Sequence, residues 1–508
     1  MAMPQTAATS EPRQSRGGSA WLLVILAAVA GLVIAMASGT HLALAGIMIP
    51  LIVAAAWASP RALLLLLVVW MTELGLLRRL IPGGSNSAFS GDPVLIIGPM
   101  VIAFLFFWSV SRGALDNRTR LANVVLAFNV VALVEVINPG QGSILAGLGG
   151  LLFLLMPVLS FWVGRILVDD DLLTRIIWAV AVLGVLAGLY GLYQQFVGFP
   201  SWDQTWINSG SYTALALGNN INRAFGSMSS SQEYAAFLGV SLVAWVSLLG
   251  KKTRLPLLVH LAAMALILMA IFYESERTIV FLGVMALAVV YAAWRRAKPS
   301  VVVVAGVVSI VVLIFGAGFL GGGTPNPQPG QSVASTLANH QLNGLSDPTS
   351  KNSSLHNHIL STERGFIQAF QRPFGSGVGS VTLAASKFNA SSSFNSGTEF
   401  DPGNMGVAFG VVGVLLYLLV TVYGLGTAYR AAVRRHDALG LFVLGVVAIH
   451  ILEWFNGDLY SVTWLVWLVL GYADMYLLRA DSPELDRLDL ELPAGTHQRN
   501  PRRWIQSA

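Results

Sequence analysis

Fourteen apolar runs, each close to the length of a bilayer-crossing helix, constrain this chain more than any other feature. They fall at about 20–39, 42–58, 61–77, 93–111, 121–137, 144–164, 172–197, 232–249, 255–273, 278–294, 299–322, 405–428, 438–456 and 460–478. A spanning helix needs roughly 20 mostly apolar residues, because lipid offers an unpaired backbone group no partner. The expected fold is therefore all-α, a polytopic transmembrane bundle of about 14 spans. Composition agrees, at 55% hydrophobic and 11% charged over 508 residues. There is no cysteine, which excludes disulfides, thiolate metal sites and a cysteine nucleophile. The formal net charge of +5 is small, and no nucleic-acid partner is expected. The polar start carries Arg13 and Arg16. The run behind it exceeds a signal-peptide core and reads as an uncleaved first span.

Lysine and arginine set the orientation, because cytoplasmic loops collect them. With the N-terminus inside and strict alternation, inner segments carry 22 of the 30 basic residues and outer segments 8. The expected division is a cytoplasmic tail over 1–19 and spans 1–11 over 20–322, with an outer loop near 198–230. A large outer loop over 323–404, spans 12–14 over 405–478 and a cytoplasmic tail over 479–508 follow. Loops this long are functional or disordered. The first half of the large loop, "GGGTPNPQPGQSVASTLANHQLNGLSDPTSKNSS", has a disordered composition. The second half does not. Leu355, Ile359, Phe366 and Phe370 share one helical face with Arg364 opposite, which predicts an amphipathic helix over 355–371 packed on the membrane domain or lying at its surface. Pro373 and the turn "GSGVG" end it.

The few outer arginines are the candidates for chemistry. Arg223 precedes span eight, Arg277 opens span ten, and Arg364 and Arg372 bracket the loop helix. One reading has them snorkelling to headgroups or pairing with Glu233, Glu276 or Glu363. The other has several converging on an anionic ligand, since a guanidinium fork binds phosphate oxygens in pairs and stays charged. Helix N-termini near Ser230 and Thr278 add partial positive charge. The "HNH" of His356 and His358 lacks a carboxylate pair and is a weak metal motif, so no metal is expected. His260 and His450 read as buried hydrogen-bonding groups, and Glu73 and Glu135 as hydrated interface residues. No nucleotide-binding or HExxH motif occurs, and no cofactor is expected.

Four segments resemble the bacterial O-antigen ligase and O-antigen polymerase superfamily of membrane glycosyltransferases. "NRAFGSMSSSQEYAAFLGV" is similar to its arginine–glycine entry to a mid-chain span. "ESERTIVFLGVMAL" is similar to its serine-x-serine-arginine entry, with Glu274 in the first serine's place. "ERGFIQAFQRPFGSGVGS" is similar to its loop helix and glycine turn, and "TEFDPGNMGVAFGVVGVLLYL" to its last junction with the membrane. They cover about residues 220–425 in the family's order. The resemblance implies a metal-independent enzyme acting on undecaprenyl-diphosphate-linked glycans at the outer face of the cytoplasmic membrane, with a glycan or lipid acceptor and membrane lipids as its other partners. It implies that Arg223, Arg277 and Arg364 hold the donor diphosphate; Arg372, His356 and His358 are further expected substrate-binding residues. Ligases carry a histidine eleven residues before a glycine-x-x-glycine; counting back from Gly410 and Gly413 gives Glu399, an acidic residue as in polymerases and the expected general base. A transporter or flippase of lipid-linked glycan suits fourteen spans as well, and a scaffold without chemistry is a third reading. The missing internal repeat and the 82-residue outer loop, from 323 to 404, weigh against transport.

Overall fold

The computed structural model describes residues 41–81, 92–208, 221–250, 255–317, 332–346, 354–382 and 400–482. Among them the structure is all-helical, with no strand. Thirteen of the fourteen apolar runs coincide with helices: His41–Ala58 (α1), Pro60–Leu80 (α2), Val94–Val110 (α3), Arg120–Val134 (α4), Ile144–Gly150 (α5) continuing into Met156–Leu167 (α6), Asp170–Phe196 (α7), and, beyond the short Ser201–Asn208 (α8), Ser231–Leu249 (α9), Leu257–Glu274 (α10), Arg277–Trp294 (α11), Pro299–Ala317 (α12), Asp401–Arg435 (α15), Ala438–Ile449 (α16) and Tyr460–Asp481 (α17). The run at 20–39 and both tails lie outside the described residues. By length and composition nine helices among the described residues can cross a membrane. The expected fourteen therefore stand as nine among the described residues, which still makes the chain a multi-pass membrane protein.

Local chemistry sets the helix ends. Asp169 caps α7 by accepting from Leu172 N at 2.9 Å, and Asp437 caps α16 by accepting from Gly440 N at 3.0 Å. Between α5 and α6 the chain widens to a π-turn over Leu151–Leu155, just before Pro157, which has no N–H to close the α pattern. The core runs along α6, α9, α16 and α17. Trp162, Trp464 and Trp467 are enclosed there, and every residue of α16 is buried, as expected of a helix apolar all round. On α10 and α12 the large aliphatics, Leu258, Leu261, Val303 and Val307 among them, face outward, the surface a bilayer covers.

The helix ends sort into two groups tied together by side chains. At one end Arg165 bonds the carbonyl of Ala114 at 2.6 Å and pairs with Asp474 at 3.1 Å. Arg435 pairs with Asp170 at 2.7 Å and Asp437 at 2.8 Å, and Tyr429 donates to the carbonyl of Ala297 at 2.6 Å. At the other end Arg79 pairs with Asp203 at 2.8 Å, Asp401 N donates to the carbonyl of Leu452 at 2.9 Å, and Ser461 donates to Glu233 at 2.6 Å. The first group is drawn from segments read as inner, the second from segments read as outer.

Two further helices belong to the large loop. Val333–Ser346 (α13) lies within the half whose composition pointed to disorder, so that expectation fails over these residues. The helix docks through Thr336, Leu337 and Gln341, all buried; only one of the three is a large apolar side chain, too little for hydropathy to register. Ser354–Gln371 (α14) is the amphipathic helix, but it packs by its small face. A Cβ on Gly365 would stand 2.5 Å from the Cα of Gly403, so the two backbones touch, with Ala369 buried beside them. The large stripe of Ile359, Phe366 and Phe370 stays exposed. With Phe400, Pro402 and Leu452 it lines an apolar groove of about 540 Å³.

At Gly410 the helix α15 breaks, with φ at 63°, a conformation glycine adopts without strain. The opened hydrogen bonds are completed from outside. Ser376 N and Gly377 N donate to the carbonyls of Val407 and Ala408 at 2.8 and 3.0 Å, and Val411 N donates to the carbonyl of Pro373 at 3.1 Å. Gln141 holds the same turn from its other side, accepting from Gly379 N at 3.0 Å.

Candidate functional site

The segment before α9 is stapled into place. Gln194 accepts from Phe225 N at 3.1 Å and Gly226 N at 2.8 Å, and its amide donates to Asp203 at 2.8 Å. Arg79 reaches the same Asp203 and bonds the carbonyls of Gly226 and Met228. Trp206 donates to the carbonyl of Ser229 at 3.1 Å. Ser230 caps α9 by accepting from Glu233 N at 3.2 Å, and Glu233 accepts from Ser229 N at 3.2 Å. This frame delivers Arg223.

Arg223 meets Glu276 at 3.0 Å, both side chains about one-fifth exposed. Glu276 belongs to the tight link between α10 and α11, where Ser275 takes a left-handed conformation at φ 74° and Glu274, fully buried, accepts from Glu276 N at 2.7 Å. Arg277 is the first residue of α11. Its Nη2 lies 3.1 Å from His340 Nε2 and 3.2 Å from the carbonyl of His340, while His340 Nδ1 lies 2.8 Å from Ser275 Oγ. Three separate segments thus meet: the loop before α9, the α10–α11 link, and α13. Burial first, then the positive charges of Arg277 and Arg223, push His340 down to about 4, so its imidazole is neutral at ordinary pH. Arg223 and its partner Glu276 are both partly exposed, so an anion can compete with Glu276 for the Arg223 guanidinium.

Arg364 and Arg372 are exposed, on α14 and just past its end, and Arg372 donates to Ser376 Oγ at 3.1 Å. The described contacts do not join either to Arg223 or Arg277. His356 and His358 lie in the first turns of α14. Glu399 lies outside the described residues. Among the described residues no group of three or more His, Asp or Glu could hold a metal. His260 and His450 bond the carbonyls of Pro256 and Val446, each at 3.2 Å. Glu135 bonds Asn138 at 2.5 Å rather than standing in water alone.

Sequence reasoning placed His340 only as a loop histidine and missed its part in the cluster. A helical face of Thr336, Leu337, His340 and Gln341 was the available signal, and it holds one large apolar residue. Neither a scan against family models nor a search of curated proteins finds a match for this chain.

Proposed function

We propose that this protein is a metal-independent membrane glycosyltransferase that polymerises or transfers undecaprenyl-diphosphate-linked glycans. It sits in the cytoplasmic membrane with about fourteen spans and both termini inside, and builds a cell-surface polysaccharide at the outer face. The observation that carries the reading is that Arg223 pairs with Glu276 while the adjacent Arg277 bonds His340, so three chain segments bring two arginines together. In the reaction an acceptor hydroxyl attacks the anomeric carbon, the bond from that carbon to the diphosphate oxygen breaks, and negative charge grows on the diphosphate. Two partly desolvated guanidinium groups stabilise that charge more than they stabilise the bound donor, which is the condition for catalysis. Glu399, on the segment that leads into α15, is the proposed base for the hydroxyl proton. Arg364, Arg372, His356 and His358 are proposed contacts for the donor's glycan.

The test is the purified protein in vesicles with a lipid-linked repeat unit. Chain extension is expected, and Arg277→Lys should slow it about tenfold or more, because lysine keeps the charge and loses the fork. Full activity of both Arg277→Lys and Arg223→Lys would remove the diphosphate site. In the cell, deletion should abolish long glycan chains and leave single repeats if the enzyme polymerises, or leave polymer on the carrier lipid if it ligates.

A further inference from the structure

We propose that His340 is a positioning residue for Arg277: it fixes the direction of the guanidinium, acting as a neutral imidazole with its proton on Nδ1. The inference deepens the function proposed above and rests on it for what the guanidinium meets. The geometry assigns the tautomer. A guanidinium has only donors to offer, so the ring nitrogen 3.1 Å from Arg277 Nη2 must be an acceptor. That nitrogen is Nε2, which leaves the proton on Nδ1, 2.8 Å from Ser275 Oγ. The serine hydroxyl accepts it, and its own hydrogen is left for another partner. The main-chain carbonyl of His340 takes a second contact from the same Nη2, at 3.2 Å. A single residue therefore holds one arm of Arg277 by two acceptors, neither of them charged. A carboxylate at this place would neutralise the arginine and compete with an anionic ligand. A neutral imidazole orients the arginine without itself pairing with its charge.

The support is itself fixed. Ser275 is almost fully buried in a left-handed turn. His340 rides on α13, seated through Leu337 and Gln341, both fully buried. Among the described residues the charged groups around the ring are Arg277 and Arg223, with Glu276 paired to Arg223 and Glu274 buried beside them. Burial and then the two cations oppose protonation of the imidazole, so it remains an acceptor at ordinary pH.

Two amide replacements separate the two ring nitrogens. Gln at 340 can place an acceptor where Nε2 stood, toward Arg277. Asn at 340 reaches only the Nδ1 position, toward Ser275. The probe is inorganic pyrophosphate, titrated calorimetrically into the full chain in nanodiscs. His340→Gln is expected to bind within about threefold of the wild type, and His340→Asn about tenfold or more weaker, the size of a lost hydrogen bond to a charged group. Equal weakening in both variants, or none in either, would overturn the positioning role. A second measurement does not depend on the ligand. In histidine-labelled protein at pH 5, the ¹⁵N resonances that vanish in His340→Gln are expected to be those of a neutral Nδ1–H ring. An imidazolium or an Nε2–H ring there would overturn the assignment. A wild type that binds no pyrophosphate but shows the Nδ1–H ring would remove the diphosphate site and leave the clamp on Arg277 standing.

Discussion

Arg79 and Arg223 are both arginines near the same end of the bundle, yet they do different work. Arg79 is enclosed, with Asp203 and two carbonyls taking its donors. Arg223 is partly exposed and has a partly exposed partner. Removing Arg79 would strand Asp203 in the interior, which costs about 3–5 kcal/mol for a buried pair broken on one side. Arg79→Ala should therefore lower the melting temperature in detergent and open 201–208 and 223–230 to protease. Arg223→Ala should leave both nearly unchanged and reduce glycan transfer. If the two variants were equally unstable, the division between staple and ligand would be wrong. From residue type alone the division was hidden, because a guanidinium fork suits a buried carboxylate and a bound phosphate equally well. The deciding fact is which acid stands opposite, and Asp203 is 124 residues from Arg79 along the chain.

Elements were legible where a repeating apolar pattern was strong. The stripe of Ile359, Phe366 and Phe370 placed a helix at 355–371, and α14 spans Ser354–Gln371. The face that touches protein was not legible, because contact there depends on what Gly365 and Gly403 lack rather than on any hydrophobic side chain. Gly365→Leu should lift α14 away from α15 and speed hydrogen exchange over 354–371, at about 1–3 kcal/mol for overpacking. α13 obeys a different control. His340 protonates near 4 in the folded chain and near 6.5 when free of it. Between those values the undocked form binds the extra proton, so docking weakens as pH falls from about 6.5 toward 4 and is at full strength above. Protection factors over 333–346, with the intrinsic pH dependence of exchange divided out, should fall in that window and stay level from pH 7 to 8. In His340→Gln the fall should disappear.

At the scale of the molecule, the runs of apolar residues located the helices, and the described contacts tie helix ends together within two groups. Arg165, Arg435 and Tyr429 tie one group together; Arg79, Asp401 and Ser461 tie the other. What hydropathy could not give is length in space. The run at 438–456 yields only Ala438–Ile449 as helix, because a polar, hydrogen-bonded stretch around Glu453, Asn456 and Asp458 ends it. The lack of cysteine makes the sidedness simple to measure. Single cysteines at Asn343 and Gln204 should react with a membrane-impermeant maleimide on intact cells, and those at Asn117 and Ala297 only after permeabilisation. Reaction of all four from outside would reverse or abolish the proposed orientation.

The break at Gly410 has a consequence for how the protein is made. A helix entering the bilayer by itself normally brings every backbone bond with it. α15 does not, because Val407 and Ala408 depend on Ser376 and Gly377, which lie earlier in the chain and outside the helix. Synthesis runs from the N-terminus, so the glycine turn has already been made when α15 arrives. The last fifth of the protein is thus assembled onto a surface prepared by the segment before it. A chain begun after residue 380 would insert a helix whose acceptors nothing completes.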